Sequence, residues 1–184
     1  AREAGGQELL ILHAGWGRRL LRPLALALEV LWARRFATRV SSQVADDCLA
    51  LQIPHAVSEG ELRALLAPEA VLAALREGLP GSAFFGARFR ENAARAFQIT
   101  RSHARRRTPL WLTRQRAKDL LARLGGLPAH PLLLETWRCC LEDHFQVDEL
   151  RARLIEVAEG RIALDLVHSP HPSPFARQLV HGRI

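Results

Sequence analysis

The stretch RVSSQVADDCLALQI, residues 39–53, decides the fold class. From Arg39 to Ala45, Val40, Ser42 and Val44 fall on one side, and from Cys48 to Ile53 the alternation continues through Leu49, Leu51 and Ile53. A period of two belongs to a strand and not to a helix. Asp46–Asp47 supplies the short polar break of a tight hairpin turn. The domain is therefore mixed, whatever helices surround this hairpin.

Upstream of it, Gln7 to His13 (QELLILH) reads as a short buried strand, and Gly15 and Gly17 break the chain after it. Arg18 to Phe36 follows, with Leu20, Leu24, Leu28 and Leu31 at helical steps. Proline is tolerated near the first turn of a helix, so Pro23 places the expected start close to Leu20.

Downstream the pattern turns helical. Ser58 and Glu61 have the spacing of a capping box. Pro68 opens a second short helix ending near Gly78, and Ser82 caps a third whose core stripe would be Phe85, Phe89, Ala93 and Phe97. Thr108–Pro109 predicts a helix with Thr108 as cap and Pro109 as its first residue, running to Leu124 before Gly125–Gly126. Helices from Pro131 to about Asp143 and from Asp148 to Glu159 complete the set, the last closed by Gly160. Arg161 to Val167 alternates as a fourth strand, and a Pro-rich tail follows with Phe175 as its anchor.

The expected fold is thus mixed α/β (α+β) and helix-rich, a small sheet of about four strands with about six helices. Residues 1–57 form a strand–helix–hairpin portion and 58–160 a helical portion. Residues 161–184 carry the final strand and tail, packed back on the same domain.

With 184 residues, 48% apolar and 24% charged, the chain is long and apolar enough to bury a core. The run from Leu20 to Trp32 is broken by Arg22, Pro23 and Glu29, so no membrane span is expected. The sequence lacks methionine altogether, which suggests a piece of a longer protein. Three cysteines, Cys48, Cys139 and Cys140, make neither a disulfide framework nor a zinc motif, as expected of a reduced cytoplasmic protein.

The net charge of +7 is concentrated. Arg101, Arg105, Arg106, Arg107, Arg114, Arg116, Lys118 and Arg123 stand against a single acid, Asp119, and this segment holds the entire excess. A focused positive field attracts polyanions. Arg105, Arg106 and Arg107 precede a helix start, where amide groups and guanidinium forks suit phosphate. Arg114 and Lys118, four apart, share a helix face that could track a backbone. Trp111 within the run reads first as a core or interface residue and second as a base-stacking ring. Arg18 and Arg19, at a glycine-led helix start, are a further anion-binding candidate. Trp32 and Trp137 are expected in the core.

No phosphate loop, nucleophile elbow or zinc-protease motif occurs, and no catalytic or metal-ligating residues are expected. Prolines interrupt the His168–His171 pair, which does not make a metal site.

Several stretches also carry a resemblance. GRRLLRPLALAL (17–28), FRENAARA (89–96), RTPLWLTRQRAKDLL (107–121), LETWRCCLEDHFQVDEL (134–150) and PSPFARQL (172–179) occur in the order found in large helicase-related (Lhr) proteins. Together they resemble the carboxy-terminal part of that helicase core, the DEAD/H-box associated domain. The resemblance implies a superfamily-2, ATP-dependent helicase or translocase of 3′-to-5′ polarity, acting on single-stranded DNA or an RNA–DNA hybrid, with a role in DNA repair. It further implies upstream RecA-like and winged-helix domains in the same protein, with ATP and Mg²⁺ bound there and no cofactor in this segment. The expected location is cytoplasmic and nucleoid-associated. Two rival expectations stand beside it: a purely structural interdomain scaffold, and a free-standing basic nucleic-acid-binding protein.

Overall fold

The computed structural model describes residues 8–99, 109–176 and 179. Its elements run β1 (Glu8–His13), α1 (Arg18–Phe36), β2 (Ser41–Val44), β3 (Cys48–Ile53), α2 (Glu59–Leu65), α3 (Pro68–Gly78), α4 (Ala83–Arg95), α5 (Leu110–Leu124), α6 (Pro131–Arg138) and α7 (Val147–Ala158). A π-helical turn, Cys139–His144, follows α6, and short 3₁₀ turns cover Leu79–Gly81 and Pro174–Ala176. The fold is mixed α/β and helix-rich, as the hairpin implies. The chain divides into two compact units, Ala1–Gly78 with Phe145–Ile184, and Leu79–His144.

In the first unit the sheet is antiparallel in the order β1-β3-β2. Leu10 pairs with Leu51 on one side and Ser42 with Leu51 on the other, so β3 is central. The turn closes with the Ala45 amide donating to the Cys48 carbonyl at 2.9 Å. Alternation predicts one buried face for β3, yet Cys48, Leu49, Ala50, Leu51 and Ile53 are all buried. The small side chains of Cys48 and Ala50 fill the second face, where the 3₁₀ turn at Pro174–Ala176 packs against β3. There the Cys48 thiol lies 3.9 Å from the Phe175 carbonyl, and burial, then Asp47, pushes its pKa up to about 11. Ala176 is the buried residue of this turn. Phe175, expected as the anchor, exposes its ring beside His13.

α1 packs against α3, β2 and α7. Leu20, Leu24, Leu28 and Trp32 bury its stripe. Glu29, which interrupts the apolar run, accepts from the Ser42 amide at 3.0 Å and the Ser42 hydroxyl at 2.6 Å, pinning β2 to the helix. A Cβ on Gly78 would lie 2.6 Å from Val30 Cγ2, so glycine permits the close approach of α3 to α1. Pro23 is the sixth residue of α1 and not a first-turn residue as expected. It cannot donate to the carbonyl of Arg19. The amide of Gln146, just before α7, donates to that carbonyl instead, at 3.2 Å.

The capping box of α2 forms as the spacing predicts, with the Glu61 amide on Ser58 Oγ at 3.3 Å and the Ser58 amide on Glu61 Oε2 at 2.9 Å. The fourth strand does not form. Residues 161–167 pair with no strand among the described residues, although Ile162, Leu164 and Leu166 alternate half-buried. Alternation requires an apolar surface beneath an extended chain. It does not require a ladder partner.

The second unit is built from α4, α5, α6 and the π turn. Phe89, Ala93, Ile99, Ala117, Leu132 and Leu133 form its core, with Leu120, Leu121 and Leu124 packed against it. Asn92 Nδ2 reaches the Thr136 hydroxyl at 3.4 Å, and both are buried. The expected core stripe of α4 holds for Phe85, Phe89 and Ala93 but fails at Phe97. The helix ends at Arg95, and Phe97 turns to φ 55° with its ring 89% exposed, while Ile99 enters the core. Trp137, expected in the core, is half-buried against Phe85 at 5.2 Å between ring centres. Trp32 is fully buried.

Candidate nucleic-acid interface

α5 carries the densest described part of the basic segment. Its start falls one residue later than the sequence suggests. Pro109, at φ −55° and ψ 140°, is the cap and not the first helical residue, because its extended ψ lies outside the helical range. Its carbonyl accepts from the amides of Leu112 and Thr113 at 3.1 and 3.2 Å. The helix then buries a single edge. Ala117 is buried, and Leu120, Leu121 and Leu124 are partly buried on the side facing the unit's core.

At about 100° per residue, Trp111 and Lys118 lie within roughly 20° of each other around the axis, with Arg114 beside Lys118. All three are exposed, as is Gln115 between them. Trp111 is 67% exposed, which removes the core part of the core-or-interface reading within the described structure and leaves its interface part standing. The sequence favoured that reading because Leu110 and Leu112 flank the ring, but Leu110 is exposed as well.

Many arginines elsewhere on the surface are paired with acids. Arg34 pairs with Glu77, Arg63 with Glu59, Arg88 and Arg95 with Glu91, Arg151 with Glu69, and Arg153 with Glu149 and Glu156. Arg138 holds Glu135 and Asp143, each at 2.8 Å, so that Glu135 first and Asp143 second raise its pKa. Among the described residues, Arg114 and Lys118 have no acid within ion-pair distance. Asp119, the acid of the segment, accepts from Gln115 at 2.9 Å. Among the described residues, the positive charge of Arg114 and Lys118 therefore has no acidic partner.

The other candidates divide. Arg105, Arg106 and Arg107 lie outside the described residues. Arg18 and Arg19 belong to the other compact unit, at the first turn of α1 behind Gly17 (φ 77°). There Arg18 contacts Asp46 at 3.4 Å and the Gly17 amide donates to the Asp46 carbonyl at 2.9 Å, so the hairpin turn occupies this helix start. Sequence reasoning missed Gln115 as part of the exposed face and assigned Phe97 to the core. Helical spacing from Trp111 could have found the first; no sequence signal marks the second, since position 97 lacks the glycine usual at a left-handed helix end.

Comparison with known proteins places these features in a family. Residues 2–176 match the family described as DEAD/H associated. The chain belongs to this DEAD/H associated family. Among similar proteins, the domain is 36% identical over 187 residues to the Lhr helicase/uracil glycosylase of Escherichia coli, matching all of the chain and 12% of that relative. The Lhr helicase/probable uracil glycosylase of Mycolicibacterium smegmatis is 33% identical over 185 residues, again across the whole chain and 12% of the relative. The chain thus spans about an eighth of the length of these relatives. The ATP-dependent helicase Lhr-Core of Methanothermobacter thermautotrophicus is 28% identical, with 96% of this chain and 20% of that protein covered. In three dimensions the domain is similar to part of the Mycobacterium smegmatis helicase Lhr solved bound to ssDNA and AMP-PNP. The TM-score is 0.86 at 33% identity, covering 98% of this chain and 23% of that one. Among the described residues, no helix of this DEAD/H associated domain is long and apolar enough to cross a membrane.

Proposed function

We propose that this domain is the accessory, strand-contacting part of an Lhr-type ATP-dependent helicase, and that the Trp111–Arg114–Lys118 face of α5 meets single-stranded nucleic acid. The observation that carries the proposal is the pairing of an exposed indole with two cations that have no acidic partner among the described residues. Cations neutralise backbone phosphates and release counterions, and an exposed aromatic ring stacks a base without regard to its identity. Arg105, Arg106 and Arg107, just before α5 in the sequence, add three more positive charges to the segment. The similar helicase solved with ssDNA and AMP-PNP supports this reading.

In the whole protein, RecA-like domains would bind and hydrolyse ATP with Mg²⁺, and a winged-helix domain would precede this one. This domain would line the single-strand channel and brace the motor during 3′-to-5′ translocation on DNA or RNA–DNA hybrids, in repair, in the nucleoid-containing cytoplasm. Its own residues supply binding and positioning.

The test is fluorescence anisotropy of a labelled oligothymidylate with the 184-residue chain and its Arg114→Glu/Lys118→Glu variant across a salt series. Weaker binding and a flatter salt dependence in the variant are expected. Equal binding by the two proteins would instead leave α5 as a brace between domains.

A further inference from the structure

Phe97 occupies a position that its chemistry does not suit. It closes α4 in a left-handed turn at φ 55°. The Gln98 amide donates to the Ala93 carbonyl at 2.9 Å and the Phe97 amide to the Ala94 carbonyl at 3.4 Å, the two bonds of a Schellman end. Glycine is the usual residue at that point because a Cβ strains the left-handed conformation, and a bulky side chain there is an outlier. Strain of this kind persists where something else selects the residue.

The core does not select it. The ring is 89% exposed, more than any other large apolar side chain among the described residues. Nor is it loosely held, since Ala93 before it and Ile99 after it are both buried in the same core cluster as Ala117 of α5. A phenyl ring is thus fixed outward, four residues before Arg101 opens the basic segment. It belongs to the same compact unit as Trp111, Arg114 and Lys118.

We propose that Phe97 is a second aromatic platform, stacking a base of the single strand whose phosphates Arg114 and Lys118 hold. The inference rests on the proposed strand contact of α5 and adds to it a residue that only its backbone conformation and exposure reveal. An outward aromatic ring suits a single strand better than a duplex, whose bases are stacked on one another and closed to side chains.

The conformation supplies a test in which stability and binding move apart. Phe97→Gly and Phe97→Asn keep the left-handed turn and remove the ring. Glycine relieves the strain, so its melting temperature is expected to hold or to rise by about 2–4 °C. Affinity of the full 184-residue chain for a labelled oligothymidylate is expected to fall about tenfold in both variants, with the salt slope unchanged because no charge is lost. Phe97→Trp is expected to bind like the parent chain.

If the glycine and asparagine variants bind as tightly as the parent, the ring is not a platform. If both melt well below the parent, the ring is a packing residue, and the proposal is again overturned. If the parent chain itself fails to bind while correctly folded, the α5 contact falls and this inference falls with it. That outcome is distinct from loss of Phe97 alone.

Discussion

The amide of Gln146 donates to the carbonyl of Arg19 at 3.2 Å, the carbonyl that Pro23 leaves without its helical partner. A proline in a helix interior ordinarily costs about 3 kcal/mol, part of it through the lost hydrogen bond. Here the start of α7 restores the bond from a distant part of the chain. The Gln146 amide is therefore expected to exchange with solvent deuterium as slowly as the core amides of α1. Exchange at the rate of an open loop would show that the bond does not persist in solution.

Gly78 and Val30 set the approach of α3 to α1. With a Cβ at position 78 only 2.6 Å from Val30 Cγ2, Gly78→Ala is expected to destabilise the chain by about 1–3 kcal/mol, because a helical valine has little rotamer freedom with which to yield. In a double-mutant cycle by urea unfolding, Val30→Ala should recover much of that loss. Simple additivity of the two changes would mean that the helices separate instead.

The proposed phosphate contacts have a numerical signature. Each phosphate neutralised on a single strand contributes about 0.7 to the slope of log affinity against log salt. Arg114→Gln/Lys118→Gln should lower that slope by about 1.4, while Trp111→Ala should weaken binding by ~1–3 kcal/mol and leave the slope in place. Anisotropy titrations at several salt concentrations read both quantities. A slope change in the tryptophan variant would count against a stacking role.

The capping box of α2 links stability to acidity. Hydrogen bonds from the Ser58 amide and then its hydroxyl hold the Glu61 carboxyl below the usual carboxylate range. A folded-state value below the unfolded one means that this contribution is complete above the ordinary carboxylate pKa and is lost as pH falls through the depressed value. Ser58→Ala should cost about 1 kcal/mol, or about 2–4 °C in melting temperature, and raise the Glu61 midpoint in an NMR titration. An unmoved midpoint would separate Glu61 from the cap.

All three cysteines are free and buried. Burial, then Cys139, pushes Cys140 up to about 12, and burial, then Asp47, pushes Cys48 up to about 11. Since the thiolate is the reactive form, alkylation at pH 8 should leave both residues unmodified in the native chain and label them after denaturation. Rapid native labelling of Cys140, detected by mass spectrometry, would contradict its place in the core.

The features legible in sequence are those that local chemistry decides. The Asp46–Asp47 turn, the Ser58–Glu61 box, the Ser82 cap and the Gly160 stop each depend on a few adjacent residues, and each forms as expected. What escaped the sequence depends on distant partners. Pro23 is tolerated in mid-helix because Gln146 completes its ladder, and β3 buries both faces because the 174–176 turn covers one of them. Residues 161–167 alternate like a strand but pair with no strand among the described residues. Of the candidate site, the Arg114–Lys118 stripe was legible from helical spacing. The exposure of Trp111 was not, because local apolar neighbours do not reveal whether a helix end is covered. Phe97 was misplaced because its stripe continued by the arithmetic of a helix that had already ended.

The division of the chain also orders its assembly. Residues 79–144 form an uninterrupted unit, whereas the unit built on α1 and α3 is completed only by residues beyond Phe145. A ribosome therefore releases every residue of the α5-bearing unit before the first unit has received α7. Until then the Arg19 carbonyl awaits Gln146, and the sides of α1 and α3 that α7 covers remain open to water or to a chaperone. The surface proposed to meet nucleic acid can mature first, and the unit that begins the chain is the last to close.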